Sequence, residues 1–249
     1  MRQIPVKRRA KGAERDTTKI KEKFLEQREQ QVKAKPLVAM NERQKDYMRL
    51  LATKPVVVAT GYAGASKTFL PTCMAADLYM TGKINKIYIT RPAISSSQSQ
   101  GYYPGDVTGK MSVWLAPVIS LLKERMGNSA YEIAVAKEDI CLTPLEVIKG
   151  FSINNAWLIV EEASDLTKEE IIKLVTRMGT NSRIVLSGDI RQRELKGDSG
   201  LVWLSGFIKR NDLEENFGFV DFDLPSHIVR SSAVRQFIVA LVEEENKKR

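Results

Sequence analysis

Apolar residues along this chain fall into two kinds of run, and the two kinds alternate. Unbroken runs rich in β-branched residues occur at Val56-Val57-Val58-Ala59, at Ala156-Trp157-Leu158-Ile159-Val160 and at Ile184-Val185-Leu186. Each is too short for a helix and has no polar position, the pattern of a strand covered on both faces. Ile84 to Arg91 is a further strand, stopped by Pro92. Phe217-Gly218-Phe219-Val220-Asp221-Phe222 alternates instead, which predicts an edge or late strand. Helical segments lie between these. Glu42 to Leu51 carries Tyr47, Leu50 and Leu51 on one face; Phe69 to Met80 ends near Gly82; Ser112 to Met126 is apolar; Pro144 starts a turn that reaches Lys149. Thr167-Lys168-Glu169-Glu170 is a capping box opening a helix to about Met178. Leu201 to Ile208 is helical, and Ser231 caps a last helix through Glu245. Ala130 to Leu142 reads as short strands.

Strand, loop, helix and strand from Val56 to Arg91 make a βαβ unit, which implies a parallel sheet and a right-handed crossover. The chain is therefore expected to form one doubly wound α/β domain with a mainly parallel sheet over residues 37–245. An arm at 1–36 precedes it, and a short tail at 246–249 follows. The 249 residues suffice for a sizeable core. The arm changes the picture through charge. The chain carries a formal +9, and residues 1–35 hold twelve Lys/Arg against five Asp/Glu, so most of the excess lies there. Met1 to Asp16 is expected to be disordered. Thr17 to Lys35 has helix composition but only Ile20, Phe24 and Leu25 as anchors, so its helix needs a partner to be stable. A basic arm fits nucleic acid or another polyanion, and equally a solvated tail.

No apolar run approaches the roughly 18 residues that span a bilayer, and no apolar segment follows the basic start as in a secretory leader. Cys73 and Cys141 are lone thiols without metal or redox spacing, which suits a reducing, cytoplasmic setting. His227 is the sole histidine, which excludes most His-based metal sites and catalytic triads.

The candidate chemistry falls where strands end. Gly61-Tyr62-Ala63-Gly64-Ala65-Ser66-Lys67-Thr68 follows the first strand and opens a helix. It fits the phosphate-binding pattern G-x-x-x-x-G-K-[ST] at Gly61, Lys67 and Thr68, and departs from it at Ser66, where the second glycine belongs. In such a loop, backbone N–H groups cradle phosphate, the lysine neutralises the β/γ oxygens and the threonine hydroxyl ligates Mg²⁺. Glu161-Glu162 ends an apolar strand about ninety residues later. Two carboxylates there suit metal support and water activation, or simply a favourable approach to a helix N-terminus. Gly188-Asp189-Ile190-Arg191-Gln192 ends another strand; it reads as an ordinary turn or as a segment whose Gln192 reaches a γ-phosphate. Gln44 has capping-box spacing from Asn41, and its amide could instead hold an adenine edge. Arg91, Arg177, Arg191, Arg193 and Arg230 are arginines of which one could stabilise transition-state charge. Tyr102 and Tyr103, in a long Gly-, Ser- and Gln-rich loop, either stack on bases or pack on the loop itself.

Taken in order, these segments resemble the PhoH family of bacterial and phage P-loop ATPases, relatives of the superfamily-one helicase ATPase core. The resemblance runs from about Leu37 to Leu241 and rests on Asn41 with Gln44, Gly61 to Thr68, Thr90-Arg91-Pro92-Ala93 and Gly101-Tyr102-Tyr103-Pro104-Gly105-Asp106. It continues through Leu158 to Ala163, Leu174 to Gly179, Gly188-Asp189 with Gln192, Ser199-Gly200-Leu201 and Ile228-Val229-Arg230. It implies a single RecA-like P-loop domain, ATP and Mg²⁺ as ligands, a nucleic-acid partner with RNA favoured, and assembly into an oligomer, a hexameric ring being the implied form. Under it Gln44 reads adenine, Gly61 to Thr68 and Asp189 bind nucleotide, and Thr68 and Glu161 support the metal. Glu162 activates water, Lys67 and Gln192 attend the phosphates, Arg230 is the candidate finger, and Arg91, Tyr102 and Tyr103 are nucleic-acid candidates. The family's Walker A ends Gly-Lys-Thr and its Walker B reads Asp-Glu-Ala-Gln; here the residues are Ser66-Lys67-Thr68 and Glu161-Glu162-Ala163-Ser164. Nucleotide binding therefore carries over better than fast turnover. The rival reading is a nucleotide-gated nucleic-acid-binding module with little hydrolysis; a small-molecule kinase on the same scaffold ranks below both.

Overall fold

The computed structural model describes residues 36–92, 107–192 and 199–247. Most of the basic arm, the loop with Tyr102 and Tyr103, and Arg193 lie outside the described residues. The expected strands are present: β1 (Val56–Gly61), β2 (Lys86–Thr90), β3 (Ile140–Leu142), β4 (Ala156–Val160), β5 (Arg183–Ser187) and β6 (Phe217–Phe222). They form one sheet in the order β3-β2-β4-β5-β1-β6, and every pairing is parallel. The central strands β1 and β4 are buried at every position, as unbroken apolar runs require. β6 lies at the sheet edge, where alternation is tolerated, and pairs with β1 over its full length.

Helices cover both faces. On one face α1 (Glu42–Thr53), α2 (Phe69–Met80), α3 (Val107–Trp114), α4 (Ala116–Met126) and α5 (Asn128–Ala136) surround Val57, Ala59, Ile87, Ile89, Ile159 and Val185. On the other, α6 (Leu145–Ile148), α7 (Lys168–Val175) and α8 (Gly200–Arg210) bury Val58, Leu158, Val160, Ile184 and Leu186. A last helix, α9 (Ser232–Lys247), follows. Each fully buried aliphatic side chain contributes about 1.5–3 kcal/mol, so two such layers hold the sheet rigidly beneath whatever sits on its edge. This is a six-stranded α/β fold consistent with a single RecA-like P-loop domain.

Two expectations are corrected. Residues 130–136, read as strand, belong to α5; only 140–142 are extended. Ile133 and Val135 have strand propensity, but Ala130, Tyr131 and Ala134 are the buried positions, and that helical spacing packs the segment against α4. The single helix expected from Ser112 to Met126 is two helices divided at Leu115, because Pro117 has no N–H to continue the ladder. The Thr167 capping box is present in full, though α7 stops at Val175.

Candidate active site

The carboxyl ends of β1, β5 and β4 lie side by side, and three of the expected segments leave the sheet there. Together they border a cleft of about 690 Å³, within the range of small-ligand sites.

The loop between β1 and α2 is pinned from several sides. Gly61 has φ +107°, and a Cβ there would stand 2.4 Å from the Phe222 carbonyl oxygen, so only glycine lets β1 lie this close to the end of β6. Tyr62 N–H donates to that same Phe222 oxygen (3.0 Å), Val229 N–H to the Gly64 carbonyl (3.0 Å), and the Tyr47 hydroxyl to the Lys67 carbonyl (3.0 Å). Ser66 takes φ +69°, the left-handed region that the missing glycine would occupy freely. The departure at Ser66 is thus a serine held in a glycine conformation, a strain of about 1–2 kcal/mol. Its hydroxyl accepts from Gln44 Nε2 at 3.1 Å.

Lys67 folds back over its own loop, donating to the carbonyls of Gly61 (2.6 Å) and Tyr62 (2.8 Å). Burial lowers its pKa, opposed by Asp189, Glu162 and Glu161. Its ammonium thus lies at the start of α2, bonded to backbone carbonyls and within the field of three carboxylates. The Thr68 hydroxyl donates to Glu161 Oε2 at 2.5 Å, a short charge-assisted bond that closes the P-loop against β4. Ser187, at the end of β5, donates to Glu161 Oε1 at 3.1 Å. Burial pushes the Glu161 carboxyl up, while its bonds to Thr68 and Ser187 pull it down and Glu162 adds to the rise.

Glu162 carries φ +51° and ψ +39°, a left-handed backbone for a residue with a side chain. Outliers of this kind cost about 1–3 kcal/mol and concentrate at working sites. Asp189 is buried; its Oδ1 accepts from Arg191 N–H at 3.0 Å and pairs with Arg191 Nε at 3.5 Å. The Arg191 guanidinium lies 3.9 Å over the Tyr62 ring, tying the β5 end to the loop.

Ala63, Gly64, Ser66, Lys67, Thr68, Arg91, Glu161, Glu162, Asp189 and Arg230 all border the cleft. Tyr62 and Ala65, within the loop, are buried. Arg230 stands directly against Gly64, where a Cβ would come within 2.6 Å of its Cγ. Gln44 does not border the cleft. It is the N3 residue of α1, where its N–H donates to the Asn41 cap (2.9 Å) and its Oε1 accepts from Met40 N–H (2.8 Å). The backbone of Gln192 lies in a 3₁₀ turn (Ile190–Gln192) beside the cleft; its side chain is outside the described residues. Arg177 is elsewhere, its carbonyl bonded to Ile153 N–H ahead of the amino end of β4.

Sequence reasoning missed three contributors. Tyr47 reads as an apolar helix position, but its hydroxyl braces Lys67. Ser187 reads as a strand end, but holds Glu161. Trp114, Leu115, Pro117, Val118 and Leu121, at the break between α3 and α4, form an apolar wall of the cleft; only the tertiary arrangement brings it there.

The donor set fits Mg²⁺ and nucleotide. A hydroxyl and a carboxylate in direct contact, with a second carboxylate adjacent, suit a hard cation that keeps waters and substrate oxygens for its other positions. Among the described residues no group of three or more His, Cys, Asp or Glu could hold a metal alone.

A family model described as "PhoH-like protein" matches residues 36–242. The chain belongs to the PhoH family. Protein PhoH of Escherichia coli (strain K12) is 30% identical over 191 residues, covering 75% of this chain and 53% of that protein. A PhoH-like protein of Bacillus subtilis is 30% identical over 199 residues, 79% of this chain and 61% of that protein. One from Synechocystis is 28% identical over 206 residues, 82% and 62% respectively. The chain thus spans a little over half the length of these PhoH relatives. Among the described residues, no helix is long and apolar enough to cross a membrane.

Proposed function

We propose that this PhoH-family chain binds ATP with Mg²⁺ in the cleft and hydrolyses it. The observation that carries the reading is the 2.5 Å contact between Thr68 and Glu161, made across the mouth of a P-loop with Glu162 next to it. Lys67, which feels the negative charge of Asp189, Glu162 and Glu161, serves the β- and γ-phosphate oxygens. The N-terminal N–H groups of α2 complete the cradle. Thr68 and Glu161 hold Mg²⁺, which when bound neutralises charge on the transferred phosphoryl group. Glu162, turned by its left-handed backbone at the cleft border, orients water and accepts its proton. Gln192 senses the γ-phosphate.

We further propose that the chain works with nucleic acid, single-stranded RNA being favoured, and as an oligomer in which an arginine from a neighbouring copy completes the site. Support comes from the +9 charge, concentrated in the arm, and from Arg91 at the cleft border. The test is phosphate release with and without single-stranded RNA, in wild type and Glu162→Gln. The variant should bind ATP normally and lose about 10²-fold or more in turnover, the usual contribution of a general base. Wild-type rates in Glu162→Gln would remove the assignment.

One observation favours a second reading, a nucleotide-gated binder with little hydrolysis: Ser66 puts a Cβ into the left-handed turn of the phosphate loop. That reading predicts RNA affinity that responds to ATP while phosphate release stays at background.

A further inference from the structure

Both oxygens of the Glu161 carboxylate are held by hydroxyls, and the two hydroxyls come from different elements. Thr68 in the P-loop donates to Oε2 at 2.5 Å, and Ser187 at the end of β5 donates to Oε1 at 3.1 Å. The Val160 carbonyl lies 3.3 Å from Ser187 Oγ, so one hydroxyl proton serves two acceptors, and the closer, charged one takes the stronger bond. Ser187 is itself fixed. It is 2% exposed, stands opposite Ala59 in the β1–β5 ladder, and is followed by Gly188, whose N–H donates to the Ala59 carbonyl at 3.1 Å. The Glu161 backbone is fixed as well: its N–H donates to the Thr90 carbonyl at the end of β2 (2.9 Å), and Glu162 then turns the chain at φ +51°. With backbone and partners both set by the sheet, side-chain length decides whether a carboxylate reaches them. Glutamate does. Aspartate is shorter by one C–C bond, about 1.5 Å. From the same backbone its oxygen falls outside hydrogen-bond distance of Ser187, which is already at 3.1 Å.

We propose that Ser187 is a positioning residue for the metal: it fixes the Glu161 carboxylate toward Mg²⁺, and it makes glutamate, rather than the aspartate of the family's Walker B, the carboxylate that fits this chain. This deepens the Mg²⁺ reading above and rests on it. Each carboxylate oxygen has two acceptor sites, so one remains on Oε1 and one on Oε2 after the hydroxyls are bonded. A carboxylate held at both oxygens cannot rotate, and those remaining sites keep one direction. Glu161, Thr68 and Ser187 all border the cleft, where the metal and its waters would be met. Partners of this kind, which orient a metal-supporting group without touching the metal, set affinity through that orientation.

The test is binding of a ribose-labelled fluorescent ATP, first in EDTA and then across a Mg²⁺ titration. It uses the full chain as wild type, Ser187→Ala, Glu161→Asp and the double variant, each shown to be folded by its urea transition. Ser187→Ala should raise the half-saturating Mg²⁺ concentration by about tenfold or more, the usual cost of removing such a partner, and leave the affinity in EDTA unchanged. Glu161→Asp should also need more Mg²⁺, although it restores the family's residue. Adding Ser187→Ala to Glu161→Asp should cost nothing further, because the bond is already gone. A Ser187→Ala titration that overlays wild type overturns the proposal, and so does Mg²⁺ binding by Glu161→Asp as tight as wild type or tighter. An equal loss from Ser187→Ala in both backgrounds also overturns it, since the serine would then act on something other than Glu161. If wild type binds the nucleotide equally with and without Mg²⁺, the metal-site reading fails and this inference falls with it.

Discussion

Replacing Ser66 separates two effects that the wild-type loop combines. Its left-handed backbone is a cost, and its hydroxyl is a partner for the buried Gln44 amide. Ser66→Ala and Ser66→Gly both remove the hydroxyl, so both leave Gln44 Nε2 without its acceptor, and that loss cancels between them. What remains is the Cβ at φ +69°. A left-handed residue with a side chain costs about 1–2 kcal/mol, and glycine gives back part of this through the greater freedom of its unfolded chain. The glycine variant should therefore be the more stable by about 0.5–1.5 kcal/mol, or about 1–6 °C in Tm for a chain of this size. Against wild type, Ser66→Ala should lose about 1–3 kcal/mol, the cost of an unsatisfied buried donor, while Ser66→Gly should lose less because relief of the strain opposes that cost. Urea unfolding at unchanged m-value reads the differences directly. Ser66→Ala equal to or more stable than Ser66→Gly would refute the strain argument, because the strain must outweigh the one opposing term, the unfolded-chain freedom of glycine.

Further outcomes follow from single contacts. Tyr47→Phe keeps a ring packed edge-on to Phe222 but loses the bond to the Lys67 carbonyl. It should cost about 0.5–1.5 kcal/mol in thermal or urea unfolding, and a loss above 3 kcal/mol would mean that the ring itself has moved. His227 is biased toward the neutral form: burial lowers its pKa and Arg43 adds to the effect, against the opposing pull of Asp223 and Asp221, and its Nδ1 accepts from Leu224 N–H at 3.2 Å. Because the folded value lies below the unfolded one of about 6.5, its contribution is present above that pH and is lost as pH falls through the window beneath it. As the sole histidine, its C2 proton resonance should titrate with a midpoint below about 6.5; a midpoint at or above that value would contradict the buried, neutral imidazole.

Much of the fold is legible in the sequence because parallel strands buried on both faces leave unbroken apolar runs. Val56 to Ala59, Ala156 to Val160 and Ile184 to Leu186 mark the three strands whose ends carry the site. The segment 130–136 is not legible, since Ile133 and Val135 favour a strand locally and only packing against α4 decides for helix. Around the candidate cleft, the meeting of Lys67, Thr68, Glu161 and Glu162 is readable because the segments that carry them leave neighbouring strand ends. The pairing of Ser66 with Gln44 joins residues 22 apart in the chain, and the hold of Ser187 on Glu161 spans 26. Such contacts leave no periodic or motif trace. Ser66 is the instructive case. The sequence marks it as a departure from glycine, whereas the structure gives its hydroxyl a partner and its backbone a measurable strain.

The most direct test of the central claim is Mg²⁺-dependent phosphate release from ATP by wild type and by Lys67→Ala, with the folded state of both verified by their unfolding transitions. The cleft described here predicts release by wild type that requires Mg²⁺ and falls to background in the variant. Release that survives Lys67→Ala, or that proceeds equally without Mg²⁺, would place the chemistry somewhere other than this loop.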